Sequence, residues 1–304
     1  MTDSNPTPTD DVLHRFMLEK AGVRGVLVRL GHSWREIASR NDYPDALRDT
    51  LGQAVAASAL LTGNIKFEGA LSLEFKSQGA VRLLFAECTD KGRLRGLARF
   101  DAEAIGDAVR LGGMDEDMLA ITVGSAERGR YQGVVDLADK PSIGAALEGY
   151  FERSEQLPAY IVLAADGDRA VGLMLQPVPG EGGHDAAAED ADAWHRVGTL
   201  TATLGTDEML SSDPSDLLYR LYHEETVRLY DPRPLAFGCT CSRERVEGML
   251  RALGHHEVRE ALDERDGTIE VTCEFCATRY EFDRVDAERL FVDGDVPPAN
   301  HTLQ

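Results

Sequence analysis

Four cysteines carry the chemistry that this sequence offers most plainly. They form two tight pairs near the C-terminal end, Cys239-Thr-Cys241 and Cys273-Glu-Phe-Cys276. Four thiolates suit a tetrahedral Zn²⁺, and the second pair has the usual two-residue spacer. The first pair has only one intervening residue. In an extended segment, side chains at i and i+2 point the same way, so both sulfurs can still face one ion. The expected ligand set is Cys239, Cys241, Cys273 and Cys276, holding one Zn²⁺.

The same four residues admit an oxidised state. Extended i and i+2 Cα atoms lie about 6.6 Å apart, from a rise of roughly 3.3 Å per residue. A relaxed disulfide spans roughly 4.4–6.8 Å, with a mode nearer 5.5–6 Å. A Cys239–Cys241 bridge is therefore possible only with local contraction or strain, and strained bridges are the easily reduced, regulatory kind. The tetrad can hold zinc when reduced and form Cys239–Cys241 and Cys273–Cys276 when oxidised, or it can be a purely structural zinc ribbon. Spacing alone does not separate the two.

The elements around these cysteines must come from the rest of the 304 residues, room for two or three units. A hydrophobic share of 43% is enough for a core. Lysine and arginine number 32 against 53 acids, a formal charge of −21, which disfavours nucleic acid or an anionic membrane as partner. The polar start, Met1 to Asp11, has no signal-peptide core, and no apolar run reaches the roughly 18 residues of a membrane span. A cytoplasmic location is expected, where paired thiols more often mean metal or redox sensing than stapling.

Strands are expected at Val12–Glu19 and Val23–Leu30, then a short helix capped by Ser33 and running to Arg40. Ala46 to Leu61 is apolar nearly all round in its second half, the mark of a helix buried within a domain. Leu71, Leu73 and Phe75 alternate with Ser72, Glu74 and Lys76, and strands continue through Val81–Glu87, Arg93–Phe100, Met118–Val123 and Tyr131–Leu137. A helix over Ser142–Gln156 precedes a hairpin, Tyr160–Ala165 and Ala170–Leu175, turned at Asp166-Gly167-Asp168. This pattern predicts an α+β domain with a mainly antiparallel sheet. Cys88 falls at a strand end and is expected to be a small buried hydrophobe.

Composition breaks after Pro177, and Glu181 to Asp192 is an acidic, glycine- and alanine-rich stretch expected to be flexible. Beyond it, Trp194, Val197, Leu200 and Leu204 fall at helical spacing, and Asp213-Pro214 starts a second helix with Leu217, Leu218, Leu221 and Tyr222 as its stripe. Helices this short are marginal alone, so they must lie on something, most simply a face of the N-terminal sheet. The expected organisation is a core over 1–178, an amphipathic helical linker over 179–231 and a small zinc-binding domain over 232–304. In that last part Ser242 caps a helix ended by Gly254, and Ile269, Val271 and Cys273 share a strand face. His195, His223, His255 and His256 are expected at the surface rather than among the ligands, because four thiolates already close a zinc site.

A domain this small rarely holds its fold without a staple, so loss of the ion should unfold it. If the helical linker depends on that domain, its apolar stripes and the surface beneath would be freed, and exposed apolar patches bind other apolar surfaces, unfolded chains included. No phosphate loop, nucleophile elbow or paired metal-binding histidine motif is present, so no enzymatic activity is expected. The alternative to a redox switch is a constitutive zinc-ribbon adaptor for protein partners.

The tetrad with its two spacers, and the run from Tyr222-His-Glu-Glu-Thr226 through Tyr230-Asp-Pro232 to Cys239-Thr-Cys-Ser-Arg-Glu-Arg245, closely resemble the redox-regulated 33-kDa heat-shock chaperone family. His14-Arg15 with Val23-Arg-Gly25, Asp42-Tyr-Pro44, Arg130-Tyr-Gln-Gly133 and Ser154-Glu-Gln-Leu-Pro158 extend the likeness over nearly the whole chain. The resemblance implies a cytoplasmic, ATP-independent holdase of the stress response. In that family the reduced, zinc-bound form is inactive. Oxidation links neighbouring cysteines, the linker and zinc domain unfold, and clients are held until ATP-driven chaperones refold them. Active forms are homodimers.

Overall fold

A computed structural model describes residues 10–106, 109, 111–112, 117–125, 129–137, 140–178 and 192–292. Most of the polar N-terminal start and the acidic stretch from Glu181 lie outside the described residues. The chain divides into two compact units, Met1–Gly238 and Cys239–Gln304. The architecture is α+β.

The first unit holds two six-stranded sheets. One is built on β1 (Val12–Leu18) and β2 (Val23–Leu30), with β8 (Tyr160–Ala165) and β9 (Ala170–Pro177) completing its centre. The other contains β3 (Ala70–Lys76), β4 (Val81–Thr89), β5 (Arg93–Phe100), β6 (Met118–Ser125) and β7 (Gly129–Val135). The strands named so far pair antiparallel. Helix α1 (His32–Ala38) leads into α2 (Asp45–Asn64), which touches strands of both sheets. Its buried run from Ala54 to Thr62 explains the all-round apolar sequence. Helix α3 (Ile143–Ser154) is capped by Ser142, whose side chain accepts from the Ala145 amide.

Ser33 does not cap α1 as expected. Asp11, just before β1, takes that role: its carboxylate accepts from the Gly31 and Ser33 amides at 2.8 and 2.9 Å. The Ser33 hydroxyl donates to the same carboxylate and accepts from the Phe237 amide. A buried acid with three donors outcompetes a local hydroxyl for the helix start.

The amphipathic segment forms α4 (Ala193–Ala202), α5 (Thr206–Ser211) and α6 (Pro214–Tyr222), with Asp213 capping α6 through the Ser215 amide. Val197, Met209, Leu217, Leu218 and Tyr222 pack with Phe16, Leu27, Val171 and Leu173 into a second core on the outer face of the β1–β2–β9–β8 sheet. A fully buried leucine contributes about 1.5–3 kcal/mol relative to exposure, so this contact, not helix propensity, holds the short helices. Two polar pairs sit at its margin. Thr201 and Tyr222 share a buried hydroxyl contact at 2.7 Å, and Arg196 grips the buried carboxylate of Glu225 at 2.6 and 3.2 Å.

Residues 233–237, expected within the zinc domain, pair instead with the N-terminal sheets. After β10 (Val227–Leu229), which lies antiparallel to β1, come β11 (Arg233–Pro234), also on β1, and β12 (Ala236–Phe237), parallel to β5. Leu235 between the last two is buried.

The second unit consists of α7 (Arg243–Leu253), α8 (His255–Glu264), the hairpin of β13 (Thr268–Thr272) and β14 (Arg279–Asp283), and α9 (Arg284–Val292). Its core is small: Leu250, Val258, Leu262, Ile269, Phe282, Ala287 and Leu290. Among the described residues, no helix is long and apolar enough to cross a membrane.

Candidate metal and redox centre

Two short segments bring the cysteines together. Cys239 and Cys241 occupy the irregular stretch just before α7, where Ser242 caps the helix by accepting from the Arg245 amide. Cys273 and Cys276 occupy the turn between β13 and β14. The Cys273 amide donates to the Thr278 carbonyl, and the Ala277 amide donates back to the Cys273 carbonyl at 2.8 Å. Ala277 closes that turn in the left-handed region at φ +56°, a conformation costly for a residue with a Cβ. Arg243, in the first turn of α7, ties that helix to β14 and α9. Its guanidinium lies 4.3 Å from the Phe282 ring centre and pairs with Asp286 at 2.8 Å.

The four Sγ atoms all lie within 4.8 Å of one another and are half-buried. The shortest approaches run between the pairs: Cys239 to Cys273 at 3.6 Å and Cys241 to Cys276 at 3.3 Å. A zinc tetrahedron with Zn–S near about 2.3 Å has edges of about 3.8 Å, so the cluster has the size and donor type for one such ion. His195, His223 and His256 are exposed, and His255 Nε2 meets Glu288 at 3.2 Å; none belongs to the sulfur cluster.

Two groups that sequence reading missed touch the sulfurs. The Tyr280 hydroxyl donates to Cys241 Sγ at 3.1 Å, and Thr278 Oγ1 lies 3.1 Å from Cys276 Sγ. Thr278 was findable, as a hydroxyl two residues past a cysteine in a tight turn. Tyr280 was not, because it alternates in register with Phe282 and looks like core. Burial raises the Cys239 thiol to about 12, with hydrogen bonding to the other three cysteines adding to the rise, and burial raises Cys273 as well. Burial also opposes ionisation of Cys276, but hydrogen bonding with Thr278 and the neighbouring thiols outweighs it, and its pKa falls to about 6. Four thiols in mutual contact resist full ionisation unless a cation compensates their charge. Cys88 is remote in the first unit's core; burial first, only partly offset by Thr62 and Arg233, holds its thiol near about 11 and unreactive.

Comparison with known proteins agrees with this geometry. The family model described as "Hsp33 protein" matches residues 11–283. A protein named "33 kDa chaperonin" from Nitrosococcus oceani is 44% identical over 296 residues, covering 96% of this chain and 98% of its own. One of the same name from Pseudomonas syringae pv. tomato is 42% identical, covering 97% and 98%. The solved 33 kDa chaperonin (Heat shock protein 33 homolog) of Thermotoga maritima superposes with a TM-score of 0.75 over 92% of this chain and 97% of its own; at 21% identity it speaks for the fold. A family match across both compact units, with relatives above 40% identity end to end, means that the chain belongs to the Hsp33 family of chaperones.

Proposed function

We propose that this protein is a redox-regulated, ATP-independent holdase for unfolded proteins, with its four clustered cysteines as the switch. The observation that carries the reading is the sulfur cluster itself, set in a unit whose core, among the described residues, is seven buried side chains. Cys239, Cys241, Cys273 and Cys276 would hold one Zn²⁺ in the reduced state. When bound, the ion supplies folding free energy to a unit too small to be robust without it.

Oxidation would link Cys239 to Cys241 and Cys273 to Cys276. Each bridge gives up two thiol protons and two electrons to a peroxide, which leaves as two waters. The present closest contacts run across the pairs, so bridging within pairs requires the sulfurs to abandon this arrangement. The unit would then lose its ion and its fold. In the same reading α4–α6 lift away, and the outer sheet face of Phe16, Leu27, Val171 and Leu173 becomes available to unfolded clients. The domains would act as a client-binding core, a releasable cover formed by α4–α6 and a sensor from Cys239 onward, since β10, β11 and β12 pair with strands of the first unit. The active form would be a homodimer in the cytoplasm that passes clients to ATP-driven chaperones.

The test is suppression of aggregation of a heat-unfolded client by the reduced and the peroxide-treated protein, with zinc per chain measured alongside. Oxidation should release about one zinc per chain and switch suppression on. Equal suppression in both states would favour a constitutive zinc-ribbon adaptor instead.

A further inference from the structure

The inner face of the β1–β2–β9–β8 sheet is apolar at alternate positions, Val26 and Val28 on β2 and Met174 on β9, until it reaches Arg24 and Gln176. These two sit directly opposite each other in the β2–β9 register, where the alternation calls for two more apolar side chains. Gln176 is 2% exposed. Arg24 Nη2 donates to Gln176 Oε1 at 2.9 Å, which fixes the amide with its nitrogen turned away. Gln176 Nε2 and Arg24 Nε are then buried donors with no hydrogen-bond partner among the described residues. Burial lowers the Arg24 pKa, and no acidic neighbour opposes that shift.

Both side chains line a cavity of about 270 Å³ where the two sheets meet the ends of α2 and α3. Its walls are apolar: Leu61, Ile65, Leu71, Ile121, Val123 and Phe151. The Tyr150 and Tyr131 hydroxyls contact each other at 3.0 Å and both donate to Glu155, at 2.8 and 3.3 Å, so this second charge already has its donors. Ligand sites are typically apolar clefts of about 300–1,000 Å³ with a few placed polar groups. This one falls just below that range and pairs an apolar slot with two unused N–H donors, one on a cation lacking a counter-charge. Leaving such donors buried is costly, and an incoming anion recovers that cost.

We infer that the cavity is a binding site for a small monocarboxylate with an apolar body, its carboxylate taken by Arg24 and Gln176 and its tail by the apolar walls. A neutral alcohol of the same length leaves the Arg24 charge uncompensated, and an amine is repelled by it. The site lies within the first unit and is independent of the cysteine centre.

The test uses the full, reduced, zinc-loaded chain with methyl-labelled isoleucine, leucine and valine. Octanoate is titrated against octan-1-ol and octylamine. Saturable octanoate shifts at the Ile65, Leu71, Ile121 and Val123 methyls, with octan-1-ol at least tenfold weaker and octylamine silent, are the expected result. Arg24→Met and Gln176→Glu should each weaken octanoate at least tenfold, the second by supplying its own carboxylate to Arg24. Equal binding of acid and alcohol, shifts confined to other methyls, or no shift at all would overturn the assignment. Should either variant fail to fold, the acid-to-alcohol ratio in the native chain decides alone.

Discussion

Gly198→Ala sets two well-measured effects against each other. Gly198 lies in α4, and a Cβ there would sit 2.2 Å from Cζ of Tyr160, on the strand beneath. Non-bonded carbons rest at about 3.5–4.0 Å, so the ring must retreat by more than about 1 Å. That ring is stacked on Trp194 at 4.3 Å and 23°, so the retreat also disturbs the stack. Overpacking costs about 1–3 kcal/mol, and an aromatic pair is worth about 0.5–1.5 kcal/mol. Alanine in place of a mid-helix glycine returns about 1 kcal/mol of helix propensity. Docking should therefore weaken by about 0.5–3.5 kcal/mol, which multiplies the open population about 2- to 370-fold. The assay is amide exchange across α4–α6 in the reduced, zinc-loaded protein, with Trp194 fluorescence read in a Trp34→Phe background. Exchange should quicken, hydrophobic-dye binding should rise, and partial holdase activity should appear without oxidant. Slower exchange would mean that helix propensity rather than the sheet contact holds the cover, and the reasoning would fail.

Other outcomes follow from the same geometry. Tyr280→Phe removes the hydroxyl that contacts Cys241 Sγ; a hydrogen bond worth about 0.5–1.5 kcal/mol should weaken zinc retention about 2- to 13-fold in competition with a chromogenic chelator. Ala277→Gly relieves a left-handed alanine and should stabilise the cysteine-bearing unit by up to about 1–2 kcal/mol, read as slower zinc transfer to the same chelator. His14 has its pKa lowered, by burial first and against the pull of Asp213. The unfolded chain therefore binds that proton more readily below its ordinary value of about 6.5, so stability is lost as pH falls through that range. His14→Gln should reduce the drop in urea midpoint between pH 7.5 and pH 5.5, and an unchanged drop would assign it to other groups.

The sequence made local features legible wherever one residue type decides the outcome. Asp213 and Ser242 cap the helices expected of them, and the hairpin turned at Asp166-Gly167-Asp168 forms in register. The all-round apolar run of α2 marked a helix in contact with both sheets. Features set by partners distant in the chain were not legible. Asp11 displaced Ser33 at the start of α1 because three donors converge on it only in the fold. Strands β11 and β12, two residues each, carry no periodicity; their partners choose them. Helix α5 is too short to show a stripe. At the cysteines, composition gave the sulfurs but not Tyr280, whose role depends on where one hydroxyl ends up.

The segment that covers the outer sheet face begins beyond β9, which pairs with β2, and returns in β10, which pairs with β1. Both hems of the flap are thus stitched into the very sheet it protects. In the proposed switch it would swing off without dismantling a strand and would stay tethered beside its seat. Re-covering needs no long search, because the entropy of closing a loop was spent when those strands zipped up. A captured chain would compete against a rival that never leaves, which favours prompt release once the tether can fold back.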